Sequence, residues 1–100
     1  MEIKELRPFL NEWDQLTALP AKNKKKLMAL YYLASKVEKG RDYTEKEINA
    51  LLNSWSTFDD SATLRREMYN KYLLDRTDDG HCYRAEENIP TLEEFIEKYV

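Results

Sequence analysis

Apolar residues recur at helical spacing along most of the chain, beginning close to the N-terminus. The pattern predicts a short amphipathic helix at residues 2–13, in which Pro8 weakens the middle. A longer helix is predicted at about 21–38. Gly40 is expected to lie just beyond that helix as its C′ residue, because glycine readily adopts the left-handed conformation found there.

Two capping boxes mark helix starts in the sequence. Thr44 with Glu47, and Thr91 with Glu94, each place a hydroxyl residue three positions before a glutamate. Behind the first box, the predicted buried face of the helix is Ile48, Leu51, Leu52 and Trp55. The second box begins a predicted C-terminal helix at residues 91–100.

Between the two boxes, the pattern predicts another helix and a β-hairpin. The helix covers about residues 61–72, with Leu64, Met68 and Tyr72 turned toward the core. Two strand-like runs follow, and Asp79-Gly80 between them favours a type I′ hairpin turn. Aromatic residues on apolar stripes are also predicted to be core: Trp13, Tyr31, Tyr43, Trp55 and Tyr83.

The order of these elements predicts an α+β fold that is mainly helical. A helix–turn–helix followed by a β-hairpin is typical of a winged helix, and a short strand around 41–43 would complete its small sheet. We therefore predict a single winged-helix-like domain over 1–100, with a core at about 16–85 and extra N- and C-terminal helices at 2–13 and 91–100. A generic α+β domain is the second choice.

The composition narrows the function classes. A chain of 100 residues with one cysteine, one histidine and two glycines offers no disulfide, no cysteine or histidine metal site, no familiar histidine-based catalytic set and no glycine-rich phosphate loop. No stretch approaches the roughly 18 apolar residues of a membrane span, and the charged N-terminus lacks a signal-peptide core. We expect a cytoplasmic, non-enzymatic domain without cofactors, whose function lies in a surface.

Charge is distributed unevenly along the chain. The net charge is −3, yet residues 20–42 carry seven basic and two acidic side chains, a net charge of +5. Four lysines cluster near the predicted helix start: Lys22, Lys24, Lys25 and Lys26. A bound phosphate would relieve their repulsion with the helix dipole, whereas solvent screening would make that repulsion tolerable without any ligand. Both interpretations stay open.

The predicted helix at 61–72 is the candidate DNA-recognition helix. Its outward face holds Thr63, Arg66 and Asn70, with Ala62 and Tyr69 beside them. Arginine can recognise guanine, asparagine can recognise adenine, and threonine or alanine can contact a thymine methyl group. A solvated side chain is the simpler interpretation of Arg66, and the fold context favours a nucleic-acid contact.

Arg65 lies nearer the edge of the buried stripe on the same helix. A structural role is favoured there, in which Arg65 lies along the core edge and either caps a carbonyl or pairs with Asp59 or Asp60.

The predicted hairpin argues against a simple DNA-binding role. Its tip carries Asp78 and Asp79, which phosphates would repel, and Arg84 is expected to form a cross-strand ion pair with Asp75. The alternative is a protein-interaction or dimerisation module on the same scaffold, in which the terminal helices bury their apolar stripes on a partner or a second copy. An enzyme ranks far behind both.

The run LPAKNKKKLMALYYLASKVEKGRDYTEKEINALL, followed by DSATLRREMYNKYLLDRTDDGHCYR, resembles an uncharacterised bacterial family, domain of unknown function two-thousand-eighty-seven. The resemblance covers roughly residues 16–84. Its most specific stretches are YTEKEIN at 43–49, TLRRE at 63–67, and Leu73-Leu74 with Arg76, followed by Asp79-Gly80 and Tyr83.

Members of that family occur alone or attached to ArsR-type helix–turn–helix domains and are labelled transcriptional regulators. The resemblance therefore implies a winged-helix-like fold and a link to transcription. The family pattern includes Asn49, Arg65 and Arg66, which leaves both a structural and a functional role open for Arg65. Arg65 is kept among the candidate DNA contacts. The family commonly continues its tyrosine with tryptophan and arginine, whereas Arg84 follows Tyr83 directly here. The full candidate set is Thr63, Arg65, Arg66, Tyr69, Asn70, Lys22, Lys24, Lys25 and Lys26.

Overall fold

The computed structural model describes residues 3–100, and within them the chain forms a mixed helical and β-sheet fold. A 3₁₀ helix at Lys4–Phe9 precedes the other elements. The remaining elements in chain order are α1 (Asn23–Ala34), β1 (Tyr43–Thr44), α2 (Glu45–Ser54), α3 (Ser61–Asn70), β2 (Leu74–Arg76), β3 (Cys82–Ala85) and α4 (Leu92–Tyr99). The prediction of a mainly helical α+β fold is confirmed at this level.

The three strands form one small antiparallel sheet in the order β1-β3-β2. Tyr43 of β1 pairs with Tyr83 of β3, and Leu74 of β2 pairs with Ala85 of β3. All four of these side chains are buried, so one face of the sheet covers the helices. The predicted short strand before α2 is present, and it lies beside the second strand of the hairpin.

Helix α1 lies at the centre of the domain and packs against the 3₁₀ helix, α3 and α4. Leu27, Leu30 and Leu33 are completely buried, and Met28 and Tyr32 on other faces of the helix are buried as well. A helix that is covered on several sides needs apolar residues around most of its circumference. α1 therefore serves as the scaffold on which the other elements are placed.

Both predicted capping boxes are confirmed. The Thr44 hydroxyl accepts a hydrogen bond from the Glu47 amide, and the Glu47 carboxylate accepts one from the Thr44 amide. Thr91 and Glu94 repeat this exchange at the start of α4. These bonds satisfy amides that have no partner within the helix, so they define where α2 and α4 begin.

The capping box of α4 makes stability depend on pH. Hydrogen bonds from the Thr91 amide and hydroxyl lower the pKa of Glu94 from its ordinary value of 4.5. The carboxylate therefore stabilises the fold above that value and loses its contribution as the pH falls through the lowered pKa. We expect wild type to unfold at a higher temperature than Glu94→Gln at neutral pH, and the gap to close below about pH 4.5. A gap that stays constant during acid titration would contradict this, since glutamine retains the capping geometry but does not titrate.

The predicted N-terminal helix at 2–13 is present in the described residues only as a shorter 3₁₀ helix, and residue 2 lies outside them. The helix is a 3₁₀ turn that contains Pro8 and ends at Phe9. Proline removes an amide donor, and Leu10 leaves the helix to pair with Leu16. Trp13 then lies in a loop and is 69% exposed, which corrects its predicted place in the core.

Two helix ends differ from their predicted positions. α1 ends at Ala34 rather than at about 38, and Gly40, with a φ of +79°, lies in a later turn rather than at C′. α3 ends at Asn70, and Tyr72 adopts a left-handed φ of 59°. Because the helical spacing stops there, Tyr72 is 66% exposed instead of buried.

The hairpin has the predicted register but a different turn. A type I′ turn at Asp79-Gly80 would need positive φ at both residues, and Gly80 has it while Asp79 does not. The Gly80 amide instead donates to the Thr77 carbonyl at 2.9 Å, which centres the turn on Asp78-Asp79. Cys82 then closes the loop with Thr77, so the strands pair as they would across the shorter turn.

Candidate functional site

Helix α3 is anchored on one side and free on the other. Leu64 and Met68 are completely buried beneath it. The opposite face leaves several side chains open to solvent, with Thr63 half-buried at its edge: Ala62, Arg66, Tyr69 and Asn70. The predicted orientation of the candidate recognition helix is therefore the one observed, apart from its last two residues.

Strand β2 adds Arg76 to this surface, a residue that belongs to the family pattern but was not among the candidate contacts. Leu74 and Arg76 alternate with Asp75, so Arg76 lies on the same face of the sheet as buried Leu74. Its guanidinium carbon is 4.9 Å from the centre of the Tyr69 ring on α3. Hydrogen bonding to Tyr83 and Tyr69 raises the pKa of Arg76 above its ordinary value. The two-residue spacing from Leu74 was the signal that could have found it.

Arg65 is held by helix α2. Its guanidinium donates to the Asn49 side-chain oxygen and lies 3.1 Å from a Glu45 carboxylate oxygen. The predicted structural role fits this half-buried position, but the predicted partners Asp59 and Asp60 are wrong. α2 packs along α3, which brings the first turns of α2 to the Arg65 guanidinium.

These side chains surround a hollow of about 370 Å³ between α3 and the sheet. It is lined by Ala62, Arg65, Arg66, Tyr69, Asn70, Arg76 and Tyr83. Among residues 3–100, neither Arg66 nor Arg76 has a carboxylate within ion-pair distance, whereas Arg65 has Glu45. The hollow therefore presents two guanidinium groups whose charge is not neutralised by a carboxylate.

The four candidate lysines do not join the exposed face of α3 that holds Arg66 and Asn70, although Lys26 reaches Glu67 on the same helix. Lys26 lies 3.6 Å from the Glu67 carboxylate, which also binds Lys71 at 2.6 Å. These two lysines lower the pKa of Glu67, with the Lys71 hydrogen bond contributing most. Lys25 lies over the Phe9 ring, at 5.9 Å from its centre.

The other two lysines are at the very start of α1. Lys22 is the N-cap residue and is exposed, without a side-chain cap bond. Lys24 borders a different groove, between α1 and α4, beside Glu93 and Glu97. The cluster that is compact in sequence therefore separates in space, because successive helical residues point in different directions.

The hairpin tip remains acidic in three dimensions. The Asp79 carboxylate accepts hydrogen bonds from the Thr77 hydroxyl at 2.6 Å and the His81 amide at 3.0 Å. These bonds, the one from Thr77 foremost, lower the pKa of Asp79, so it stays charged near neutral pH. An anion would be repelled from the tip and attracted to the hollow at its base.

Arg84 on the hairpin is bound elsewhere. It faces Asp75 in the strand register, as predicted, but its guanidinium binds Asp42, just before β1. The Asp42 hydrogen bond raises the pKa of Arg84. The predicted Arg84–Asp75 ion pair is therefore wrong, because β1 on the other side of β3 supplies the acceptor.

Metal-ligating clusters and membrane-spanning helices are both absent from residues 3–100. Within residues 3–100, no group of three His, Cys, Asp or Glu side chains is placed to hold a metal ion. The helices in this part of the chain are all too short or too polar to cross a bilayer.

Comparison with known proteins gives one match. The model of a family described as "Uncharacterized protein conserved in bacteria (DUF2087)" matches residues 15–85. The matched region contains α1, α2, α3 and the sheet, while the 3₁₀ helix and α4 lie outside it. No curated protein and no solved structure matches the chain.

Proposed function

The chain belongs to the DUF2087 family of uncharacterised bacterial proteins, and we propose that it is a transcriptional regulator that binds duplex DNA through α3. The order α1-β1-α2-α3-β2-β3, with β1 beside β3, agrees with a winged helix–turn–helix. In that fold the second helix of the helix–turn–helix enters the major groove, and α3 is that helix.

The observation that carries this proposal is the exposed face of α3, where Arg66, with Arg76 of β2 beside it, has no carboxylate partner within residues 3–100. Arg66 and Asn70 are four residues apart on the helix and lie on the same exposed side. Arginine pairs bidentately with guanine, and asparagine with adenine, at the major-groove edge. Arg76 beside them adds a second cation, to which the proposal assigns a contact with a backbone phosphate.

The remaining candidates take supporting roles in the proposal. Thr63 and Tyr69 flank the base-contacting pair, and Arg65 positions the helix through Asn49 while contributing positive potential. Lys22 and Lys24 are exposed and free to meet phosphates further along the duplex, whereas Lys25 and Lys26 are engaged with Phe9 and Glu67.

Salt dependence tests the proposal. Each phosphate that the protein neutralises lowers the logarithm of the binding constant by about 0.9 per decade of salt. With three to four phosphate contacts we expect a slope of about −3, measured by fluorescence anisotropy with mixed genomic duplex fragments. If no fragment binds at low salt, or if salt leaves the affinity unchanged, the proposal is wrong.

A second candidate function is self-association through the groove between α1 and α4. The groove, of about 590 Å³, is lined by the apolar side chains of Met28, Leu92, Ile96 and Val100. Its rim carries Lys24 together with Glu5, Glu93 and Glu97. A rim with both signs of charge can pair with a second copy across a twofold axis. Sedimentation velocity at micromolar concentration decides, because a strict monomer would exclude this dimer.

A further inference from the structure

We infer that the hollow between α3 and β2 is a binding site for a phosphate group. The inference rests on the proposed function in one respect, because the hollow and the DNA-binding face share Arg66 and Asn70. It goes further by naming one binding site and the chemical class of ligand that occupies it. The site lies at the base of the hairpin, behind the acidic tip.

The first argument is that aromatic rings position Arg65 and Arg76 at the hollow. Tyr83 is buried in the sheet, and the Arg65 guanidinium lies 5.6 Å from the centre of its ring. Arg76 is the strand partner of Tyr83 and lies over Tyr69. The Arg65 guanidinium is engaged with Asn49 and Glu45, so it borders the hollow as a fixed cation. Arg76 is held by the Tyr69 ring, so it loses less freedom on binding a ligand than a mobile side chain would.

The second argument is the charge balance. Three guanidinium groups line the hollow, and Glu45 is the carboxylate that pairs with one of them. Arg66 and Arg76 are left with their donors unpaired by any carboxylate of the described chain. A phosphate offers oxygens that accept bidentate hydrogen bonds from arginine, and it supplies the negative charge that the hollow lacks.

The third argument is size and access. The hollow is within the range of small-ligand sites, so it can admit a phosphate together with part of an attached sugar. The Asn70 amide adds a further donor at the same wall, and the Tyr69 ring offers an apolar surface. The phosphate can come from the DNA backbone or from a free phosphomonoester, and a free one would compete with DNA for Arg66 and Asn70.

The arginine side-chain signals of the ¹⁵N-labelled protein provide the test. Inorganic phosphate, adenosine monophosphate and a short duplex are titrated separately at constant ionic strength, with chloride as the balancing anion. We expect the Nε–Hε signals of Arg66 and Arg76 to shift saturably with at least one of these probes. The signals of Arg41 and Arg84, which pair with carboxylates, are expected to stay in place.

Variants distinguish phosphate binding at the hollow from a nonspecific effect of the protein's net charge. Arg76→Gln is expected to weaken binding of the probe by about tenfold, the effect of losing one charge-assisted hydrogen bond. Arg66→Gln removes an exposed side chain without other contacts and repeats the test if Arg76→Gln alters the fold. Arg84→Gln is the matched control, because it removes the same charge from the same hairpin and is expected to leave binding unchanged.

The outcomes identify the source of the phosphate. Saturation by phosphate or the nucleotide supports a free phosphomonoester, and saturation by the duplex alone supports the DNA backbone. If the duplex binds and shifts Arg66 while Arg76 stays unshifted, the phosphate site is wrong although the proposed function stands. If the free phosphates saturate the site and no duplex binds, the phosphate site stands and the proposed function fails. Equal shifts of all arginines, or none, overturn the inference.

Discussion

Replacing Phe95 with alanine is expected to lower the free energy of unfolding by about 3–5 kcal/mol, the usual cost of removing a buried phenylalanine. Phe95 is 1% exposed, and its ring centre lies 5.5 Å from that of Tyr31 and 5.1 Å from that of Tyr99. The substitution removes these contacts and leaves a cavity between α4 and α1. For a domain of this size the loss is a large part of the total stability.

The same variant shows whether α4 unfolds together with the rest of the domain, since α4 lies outside the region matched by the family model. If α4 belongs to the same folding unit, urea unfolding remains a single transition with a lower midpoint. Glu97→Ala, an exposed position on the same helix, serves as control and is expected to change stability little. A loss below about 1 kcal/mol for Phe95→Ala would mean that α4 does not contribute to the core.

The double substitution Arg66→Ala with Asn70→Ala is expected to reduce duplex affinity by about 100-fold. One bidentate contact to a base contributes about 1–3 kcal/mol of discrimination, and two such contacts reach this range. Neither side chain contacts the core, since the buried side of α3 is formed by Leu64 and Met68. The unfolding midpoint should therefore stay within the small range that is usual for surface substitutions.

A charge-matched control separates recognition from electrostatics. Lys39→Ala also removes one positive charge, from an exposed position after α1. It is expected to change duplex affinity by less than about threefold, as a cation outside the interface acts only through the screened field. Equal effects of the control and the double substitution would show that α3 makes no specific contact.

The capping boxes and the hairpin register could be predicted because they depend on neighbouring residues. Thr44 with Glu47, and Thr91 with Glu94, contain both partners of their hydrogen bonds within four positions. The pairing of β2 with β3 was correct even with the wrong turn, because a loop lengthened equally on both sides keeps the same partners. Local chemistry of this kind is visible in the sequence.

Errors arose where the backbone leaves its regular path. Trp13 precedes Asp14, which has a positive φ, and Tyr72 itself has one. Non-glycine residues seldom adopt this conformation, so the sequence carries no signal for it. Helical spacing predicts core positions for Trp13 and Tyr72, but the helices end at Phe9 and Asn70, so both aromatic side chains are exposed.

The site could be predicted in part. The outward face of α3 follows from helical periodicity, which requires no tertiary information. Arg76 and the Asn49 contact of Arg65 depend on how β2 and α2 pack against α3, and that packing is long-range. The lysine cluster shows the opposite error, since proximity in sequence did not become a common surface in the fold.

Chemical-shift mapping with a duplex tests whether α3 and Arg76 contact DNA. Unlabelled duplex DNA is added to the ¹⁵N-labelled protein at low salt, and the backbone amide signals are followed. We expect the shifts to be concentrated at residues 62–70 and at Arg76, with α4 little affected. An unchanged spectrum, or shifts confined to α4 and the start of α1, would contradict it.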